Sequence, residues 1–524
     1  MPPSSSPRSR PMNTLVAMSS VTLPNLGANS IERAGAEVWC RRILLLTSGI
    51  AAIALLVHFS VMVWAQNELS SPESVVAAQA TMLAQDGTLY YHLNSYPYTV
   101  SAYMPIFYLL NAGLIKVGLP AALAGRLISF AAMLGIFWLV WRILILYTRE
   151  RYYAWAGLVL CVSTSLVLSW GTVGQVDTLA VFFALLGFYQ YARFAVRGEN
   201  TLILAAVCVI AALFTKQTLI ACPVAIVVAL WFHNRKLALQ FAAGAGGVVI
   251  ALVLAINLAL DGRFLEDTLF ANLNPFAWHK LGQHVNYLLI AAGQLFLVAA
   301  VGFPAVMRRP ARVLFLYLAL ALGVLSITAP KIGSDSNYQI ESTVLLVLCA
   351  CVALDAVSFF PLVLKRSKSW VTLLQIPLAI HFVVNVRIIE PFLIARIAKE
   401  QAFRQQVAAE RTYLADGGRL LSADYNGAAH LRGRMEVETL IYTLLVRAGR
   451  IDPEPVRRDI AAKDFSTILL FQDVNRPFDT DLELLALTGA QLDEVRKHYR
   501  IVAHLPGPYL GGVYVYKPVP DTNQ

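Results

Sequence analysis

Charge is what this 524-residue chain has least of: 14% of its residues are Asp, Glu, Lys or Arg, against about 25% in ordinary globular proteins. With 57% hydrophobic residues and a mean hydropathy of +0.61, water cannot solvate the surface such a chain would present. A purely soluble enzyme is excluded, and so is a disordered chain, which combines low hydrophobicity with high charge. Cysteine is scarce too. The six (Cys40, Cys161, Cys208, Cys222, Cys349 and Cys351) all precede residue 390 and lack metal-ligand spacing, so they read as buried small residues rather than a disulfide framework. Lysine and arginine are missing altogether from residues 65–104. No internal repeat is visible, which weighs against the inverted-repeat plan of many secondary transporters.

The charge that is present is unevenly spread. Residues 43–389 hold 32 charged side chains in 347, whereas residues 390–524 hold 35 in 135. The first stretch reads as membrane and the second as a small soluble α/β domain. Residues 1–42 form a Ser- and Pro-rich tail, largely disordered. A spanning helix needs about 20 apolar residues, and runs of that kind cover 43–64, 120–147, 152–170, 176–192, 237–260, 286–306, 313–328, 340–363 and 370–388. A further run, 201–232, is broken by Thr215-Lys216-Gln217-Thr218 and reads as a hairpin of two short helices, giving about eleven spans in all. The 105–118 segment, bracketed by Pro105 and Pro120, suits an interfacial or re-entrant helix within a long loop, 65–119.

Loop charge orients this map. Alternate loops carry Arg149/Arg151, Arg193/Arg197, Arg235/Lys236, Arg308/Arg309/Arg312 and Lys365/Arg366/Lys368. By the positive-inside rule the N-terminus is cytoplasmic and residues 390–524 are outside. The net charge of +10, which in a soluble protein would suggest nucleic acid, is here an orientation signal, and no nucleic-acid partner is expected.

Chemistry-bearing residues gather on the outer side. Ser71-Pro72-Glu73 reads as a helix start with Ser71 as its cap, followed by a largely apolar face (Val75, Val76, Gln79, Ala80, Met82, Leu83) and a stop at Gly87. Lys216 falls in a turn between arms too short to cross, which recesses it toward the hydrocarbon, where an ammonium needs an anion such as a lipid phosphate. Asp177 opens a span after the polar break 171–175, Arg126 stands near the start of another, and Asn337 and Glu341 lie where an outer loop enters a third. Asp355, deeper on the inner half, reads as a structural pair, and His279 and His284 read as ordinary surface residues. Tyr509, Tyr514 and Tyr516 read as strand core rather than a sugar platform.

In this order the segments resemble a known group. Glu73, Gly87-Thr88-Leu89-Tyr90, Tyr103-Met104-Pro105-Ile106-Phe107-Tyr108, Gly125-Arg126, Val176-Asp177-Thr178-Leu179-Ala180, Thr215-Lys216-Gln217-Thr218 and the 333–341 loop are similar to recurring segments of GT-C fold polyprenyl-phosphate-sugar glycosyltransferases. The branch concerned is the bacterial one related to protein O-mannosyltransferases and lipid A aminoarabinose transferases. The resemblance covers about 70% of the chain, with Pro72 before Glu73 and Met104 before Pro105 as departures from the family pattern.

The resemblance implies a bacterial plasma-membrane enzyme that moves a sugar from a polyprenyl-phosphate donor to a hydroxyl of a glycan, lipid or protein acceptor on the outer face, with inversion. It implies Glu73 as general base, Lys216 and Arg126 on the donor phosphate, and Asp177, Gln217, Asn337, Tyr338 and Glu341 orienting the sugar or an ion. Gly87, Tyr90, Tyr103 and Pro105 would shape the loop. Some relatives use a divalent cation, though no His/Cys constellation here calls for one. A secondary transporter and a lipid-linked oligosaccharide ligase or polymerase are the alternative readings.

Overall fold

The computed structural model describes residues 27–65, 68–272, 274–358, 367–425, 434–476 and 487–520. Residues Met1–Thr47 form one unit and Ser48–Gln524 the other. The expected tail lies mostly outside the described residues. Helix α1 runs Gly27–Trp64. Helix α2, Ser71–Asp86, starts one residue earlier than predicted: Ser70 rather than Ser71 holds the cap position, and its hydroxyl accepts from Gln175 Nε2 at 2.7 Å. The helix stops at Gly87, whose φ of +72° is the left-handed value that a glycine adopts without strain. Pro105 opens α3, Pro105–Lys116, a 12-residue helix of roughly 18 Å and too short to cross a bilayer.

The membrane-type helices follow as α4 (Ala121–Tyr147), α5 (Arg151–Ser163), α6 (Ser165–Gly171), α7 (Val176–Arg197), α8 (Leu202–Leu213), α9 (Ala221–His233), α10 (Arg235–Ala259), α11 (Trp278–Val306), α12 (Arg312–Thr328), α13 (Ile340–Ser358) and α14 (Ser367–Tyr413). Six helical segments are long and apolar enough to cross a membrane, or seven if α5 and α6 count as one span. Four shorter apolar helices, α8 and α9 among them, lie in other predicted runs, and the end of the predicted 340–363 span lies outside the described residues. The predicted span 152–170 is bent by 62° between α5 and α6. The bend has a cause: Asn385 Oδ1 accepts from the Ser165 backbone N–H (2.8 Å) and hydroxyl (2.6 Å), and His381 meets the Thr164 hydroxyl at 3.1 Å. These side chains pair the backbone groups that the break exposes. Helix α13 is the hub, buried along nearly its whole length. Asp355 is paired as expected, with Arg309 at 2.6 Å and the Arg149 backbone N–H at 3.0 Å.

Helix α14 carries through the expected boundary at 390 without a break and spans 47 residues, roughly 70 Å. Beyond it lies a four-stranded sheet in the order β1-β2-β4-β3, with β1 Arg419–Ser422, β2 Phe465–Leu470, β3 Tyr499–Leu505 and β4 Val513–Pro518. Strands β1 and β2 run parallel and the other pairs antiparallel. Helices α15 (Thr439–Arg447), α16 (Glu454–Ala461) and α17 (Gly489–His498) pack on it, the last opened by a capping box between Thr488 and Gln491. Tyr516 is core, as its sequence context predicts, whereas Tyr509 reaches out to donate to the Glu68 carbonyl at 2.6 Å.

The first long loop belongs to this domain as much as to the membrane helices. Leu93, Tyr98 and Val100 share one apolar cluster with Leu421, Tyr442, Ile468 and Tyr516. Tyr98 pairs with Val437 like a short extra strand, through Tyr98 N–H to Glu436 O and Glu438 N–H to Tyr98 O, both 2.8 Å.

Candidate functional site

Two buried ion pairs organise the face of the helix bundle that bears the sheet domain. The first joins α2 to α4. Arg126 donates through Nε to Glu73 Oε1 (2.9 Å) and through Nη2 to Glu73 Oε2 (2.7 Å), and both side chains are almost fully buried. Glu73 Oε1 also accepts from the Gly174 backbone N–H, and Oε2 from the Leu69 backbone N–H, each at 2.7 Å. Arg126 Nη1 donates to the Met62 carbonyl at 3.0 Å and to the Ala65 carbonyl. The approach needs small residues: a Cβ on Gly174 would lie 3.2 Å from Glu73 Oε1 and 3.3 Å from the Gly125 carbonyl carbon.

The second pair joins α7 to the α8–α9 turn. The two arms have 12 and 13 residues, each roughly 18–20 Å long against a hydrocarbon core of about 30 Å, so the turn is recessed. Lys216, buried there, donates to Asp177 Oδ1. Asn337 Nδ2 donates to Asp177 Oδ2 at 3.0 Å and to Gln175 Oε1 at 3.3 Å. The Lys216 ammonium lies 4.0 Å from the Tyr338 ring centroid and 5.9 Å from that of Tyr103, both in cation–π range. Below them Tyr317 donates to Glu341 Oε1 at 2.6 Å. Asp177, Lys216, Asn337, Tyr338 and Glu341 line one narrow cleft of about 30 Å³, with Val181, Leu219, Ala321, Val324 and Leu325 as its apolar lining. That is room for a water rather than a sugar. Asn337 Oδ1 is buried with no partner among the described residues, an acceptor open to a hydroxyl.

A strap, residues 98–103, connects this cleft to the sheet domain. Gln79 Nε2 donates to the Thr99 hydroxyl and the Val100 carbonyl, both at 3.0 Å. The Thr99 hydroxyl and Val100 N–H donate to Glu438 Oε2 at 3.3 and 3.4 Å, and Ser101 N–H donates to Asp267 Oδ2 at 3.1 Å. The Ala102 carbonyl accepts from Gln217 Nε2 at 2.9 Å and the Tyr103 carbonyl from the Tyr90 hydroxyl at 3.0 Å.

Burial pushes Glu438 up to about 7 and Asp267 up to about 8, outweighing the hydrogen bonds they accept from the strap. Against ordinary values of 4.5 and 3.8, the folded chain binds more protons than the unfolded one across that window. Its stability should therefore fall as pH rises from about 4 to about 8. Thermal unfolding of the full chain in detergent should show this fall, and the Glu438→Gln/Asp267→Asn double variant should flatten it in part, since Glu68 is likewise pushed up to about 8 by burial. An unchanged pH profile in the double variant would refute the assignment.

Asp177, Lys216, Asn337, Tyr338, Glu341 and Tyr103 therefore converge. Glu73 and Arg126 form a separate pair beside them, linked through the 174–177 segment. Gln217 points away from the cleft and bridges the carbonyls of Ala102 and Thr268 (3.0 Å), joining the strap to a π-helical turn, Glu266–Phe270. Gly87, Tyr90 and Pro105 shape the loop. His284, read as a surface residue, is buried: it meets the Ser334 hydroxyl at 3.2 Å, and Gln339 Nε2 lies 2.9 Å from its Nδ1. It braces the 330–341 loop; alternation of exposed and buried turns in α11 was the available signal. Among the described residues no group of three His, Cys, Asp or Glu side chains is placed to hold a metal ion. Asp177 is committed to Lys216 and Asn337, and one Glu341 oxygen to Tyr317.

The sequence matches no protein-family model and no curated protein with significance. The structure, however, is similar to ArnT from Cupriavidus metallidurans in the apo state, with a TM-score of 0.62 and 14% identity over 93% of this chain and 98% of that one. The chain has a GT-C fold. ArnT from the same organism bound to undecaprenyl phosphate aligns at a TM-score of 0.60, 14% identity, 91% of this chain and 98% of that one. The archaeal oligosaccharyltransferase AglB from Archaeoglobus fulgidus, in complex with an inhibitory peptide and a dolichol-phosphate, aligns at 0.50 and 10% identity, over 91% and 75% of the two chains. The GT-C likeness thus extends through the sheet domain, beyond the membrane portion in which the sequence motifs lie.

Proposed function

We propose that the chain is a membrane glycosyltransferase that moves a sugar from a polyprenyl-phosphate donor to an acceptor hydroxyl, with inversion, on the face bearing the sheet domain. We take that face as the outer side of a bacterial plasma membrane, in line with the loop-charge asymmetry. The observation that carries the reading is the recessed Lys216, set between Tyr103 and Tyr338 beside a cleft with one apolar wall. The GT-C neighbours bound to undecaprenyl phosphate and dolichol-phosphate support it.

Without donor, Lys216 is neutralised by Asp177. An entering phosphate would compete for the ammonium and part that pair, widening the cleft. Asp177, Asn337 and Tyr338 would then orient sugar hydroxyls, with Asn337 Oδ1 supplying an acceptor, while Glu341 lines the deeper wall. In-line attack places the general base on the face of the sugar away from the leaving phosphate. That separates the base from Asp177, which touches the phosphate-binding lysine. Glu73, whose resemblance suggests the base, has both oxygens filled by four donors, so we assign the Glu73–Arg126 pair to positioning.

The experiment is sugar transfer by the purified chain in liposomes, from polyprenyl-phosphate sugars to an acceptor panel of glycans, lipids and peptides. Transfer that requires the lipid donor is expected. Solute uptake without any lipid donor would overturn the reading in favour of a transporter.

A further inference from the structure

Transfer from a polyprenyl phosphate has a definite charge balance. The bond between the anomeric carbon and the phosphate oxygen breaks, and its electron pair stays on that oxygen. The acceptor oxygen forms the new bond and gives up its proton. The lipid phosphate passes from one negative charge to two, and a site that accelerates this step needs positive charge aimed at the leaving oxygen. The cations described so far supply little of it. Arg126 is matched by Glu73 and Lys216 by Asp177, and Glu341 adds a carboxyl to the same cleft.

Lys331 is placed differently. It lies in the 329–335 loop, outside the membrane helices, and its Nζ donates to a neutral group, the Asn272 carbonyl, at 2.6 Å. The Asn272 side chain in turn donates to the Ala102 carbonyl at 3.2 Å, the same oxygen that Gln217 reaches at 2.9 Å. Lys331 is thus linked through Asn272 and the Ala102 carbonyl to Gln217, the residue next to Lys216. Its loop is held firmly: Lys331 bridges to Phe276, Ile332 N–H donates to the Pro275 carbonyl at 2.9 Å, and Asn274 Nδ2 donates to the Ile332 carbonyl at 2.9 Å. Burial and the positive charge of Lys216 both pull Lys331 below the ordinary lysine value. Two ammonium groups that feel each other in this way gain when an anion comes between them.

We propose that Lys331 is a second cation of the donor site, contacting the lipid phosphate from the loop side while Lys216 contacts it from the membrane side, and stabilising the charge that develops as the polyprenyl phosphate leaves. The proposal rests on the transferase reading above. It adds a residue that no motif marked, and it assigns the 329–335 loop a part in binding.

The test uses the full chain in detergent with undecaprenyl phosphate and, separately, the uncharged polyprenol as probes, binding being read by intrinsic fluorescence. Lys331→Met should weaken undecaprenyl phosphate binding roughly 10- to 100-fold, the range for loss of one charge-assisted hydrogen bond. Polyprenol binding should not change, and Lys331→Arg should recover most of the affinity. Lys280→Met, which alters a nearby lysine directed at the Ser334 carbonyl (3.5 Å), should stay within about twofold of the parent, below the size of a lost charged contact. If Lys331→Met binds the lipid phosphate as the parent does, or loses polyprenol equally, the Lys331 assignment fails while the transferase reading stands. A parent protein with no affinity for the lipid phosphate would sink both.

Discussion

Lys216→Met and Asp177→Asn should each lower sugar transfer by roughly 100- to 1,000-fold, the usual loss when one preorganised electrostatic contact at a transition state is removed. The two should differ in how they do it. Lys216→Met removes the proposed contact to the leaving phosphate, so kcat should fall with only a modest rise in the donor KM. Asp177→Asn leaves the ammonium without its counterion in the empty protein, so apparent affinity for a lipid phosphate should hold or improve while turnover falls. Lys216→Arg should not rescue. The ammonium sits 4.0 Å from the Tyr338 ring centroid beside a cleft of about 30 Å³, and a planar guanidinium is not a substitute for a compact charge there. Initial rates over a donor series, with thermal midpoints to confirm folding, decide the matter. Full-rate transfer by Lys216→Met would remove this site from consideration.

Splitting the Glu73–Arg126 pair from either side should be costly to the fold. A buried ion pair that loses one partner leaves an uncompensated group in a low dielectric, at about 3–5 kcal/mol, and this pair also fastens Ala65, Leu69 and the Gly174 turn. Glu73→Gln and Arg126→Met should both lower the unfolding midpoint, and the Glu73→Leu/Arg126→Met double variant should regain much of it, because neither charge is then stranded. The coupling measured by that cycle separates positioning from catalysis. A general base would give a Glu73→Gln protein with parental stability and a collapsed kcat. That result would restore Glu73 to the role its resemblance implies.

Much of this was legible in the sequence, and the rest has a physical reason for hiding. Helix placement follows from apolar run length, so the long apolar helices, the short helix at 105–118 and the broken 201–232 hairpin could be located. Arg126, Asp177 and Lys216 stood out because charge in or at the edge of an apolar stretch is expensive and seldom incidental, and Glu73 stood out as a helix-start carboxylate within a recurring family segment. Their partnerships did not stand out. Arg126 and Lys216, both expected to await a lipid phosphate, meet carboxylates 53 and 39 positions away on other helices, and pairing between helices leaves no mark on local periodicity. Gln217 looked like part of the cleft because it adjoins Lys216, yet successive residues in a turn point apart and its amide serves two backbone carbonyls. Lys331 drew no notice because lysine in a polar loop is commonplace. Its significance lies in the neutral Asn272 carbonyl it meets and in the link from there to the strap.

The strap has a bearing on how the protein is made. Thr99 and its partner Glu438 are 339 positions apart, so at about 5–20 residues per second a ribosome finishes the strap roughly 20–70 seconds before the domain that holds it exists. Only over the last part of that interval, roughly 5–20 seconds at the same rate, does the chain contain every cleft residue named above, all of which precede residue 342; the strap can by then meet Gln79, Gln217 and Asp267, but its Glu438 contact is still missing. On the transferase reading proposed above, full activity is therefore expected only once the sheet domain that carries Glu438 has folded, which would withhold it from incomplete chains.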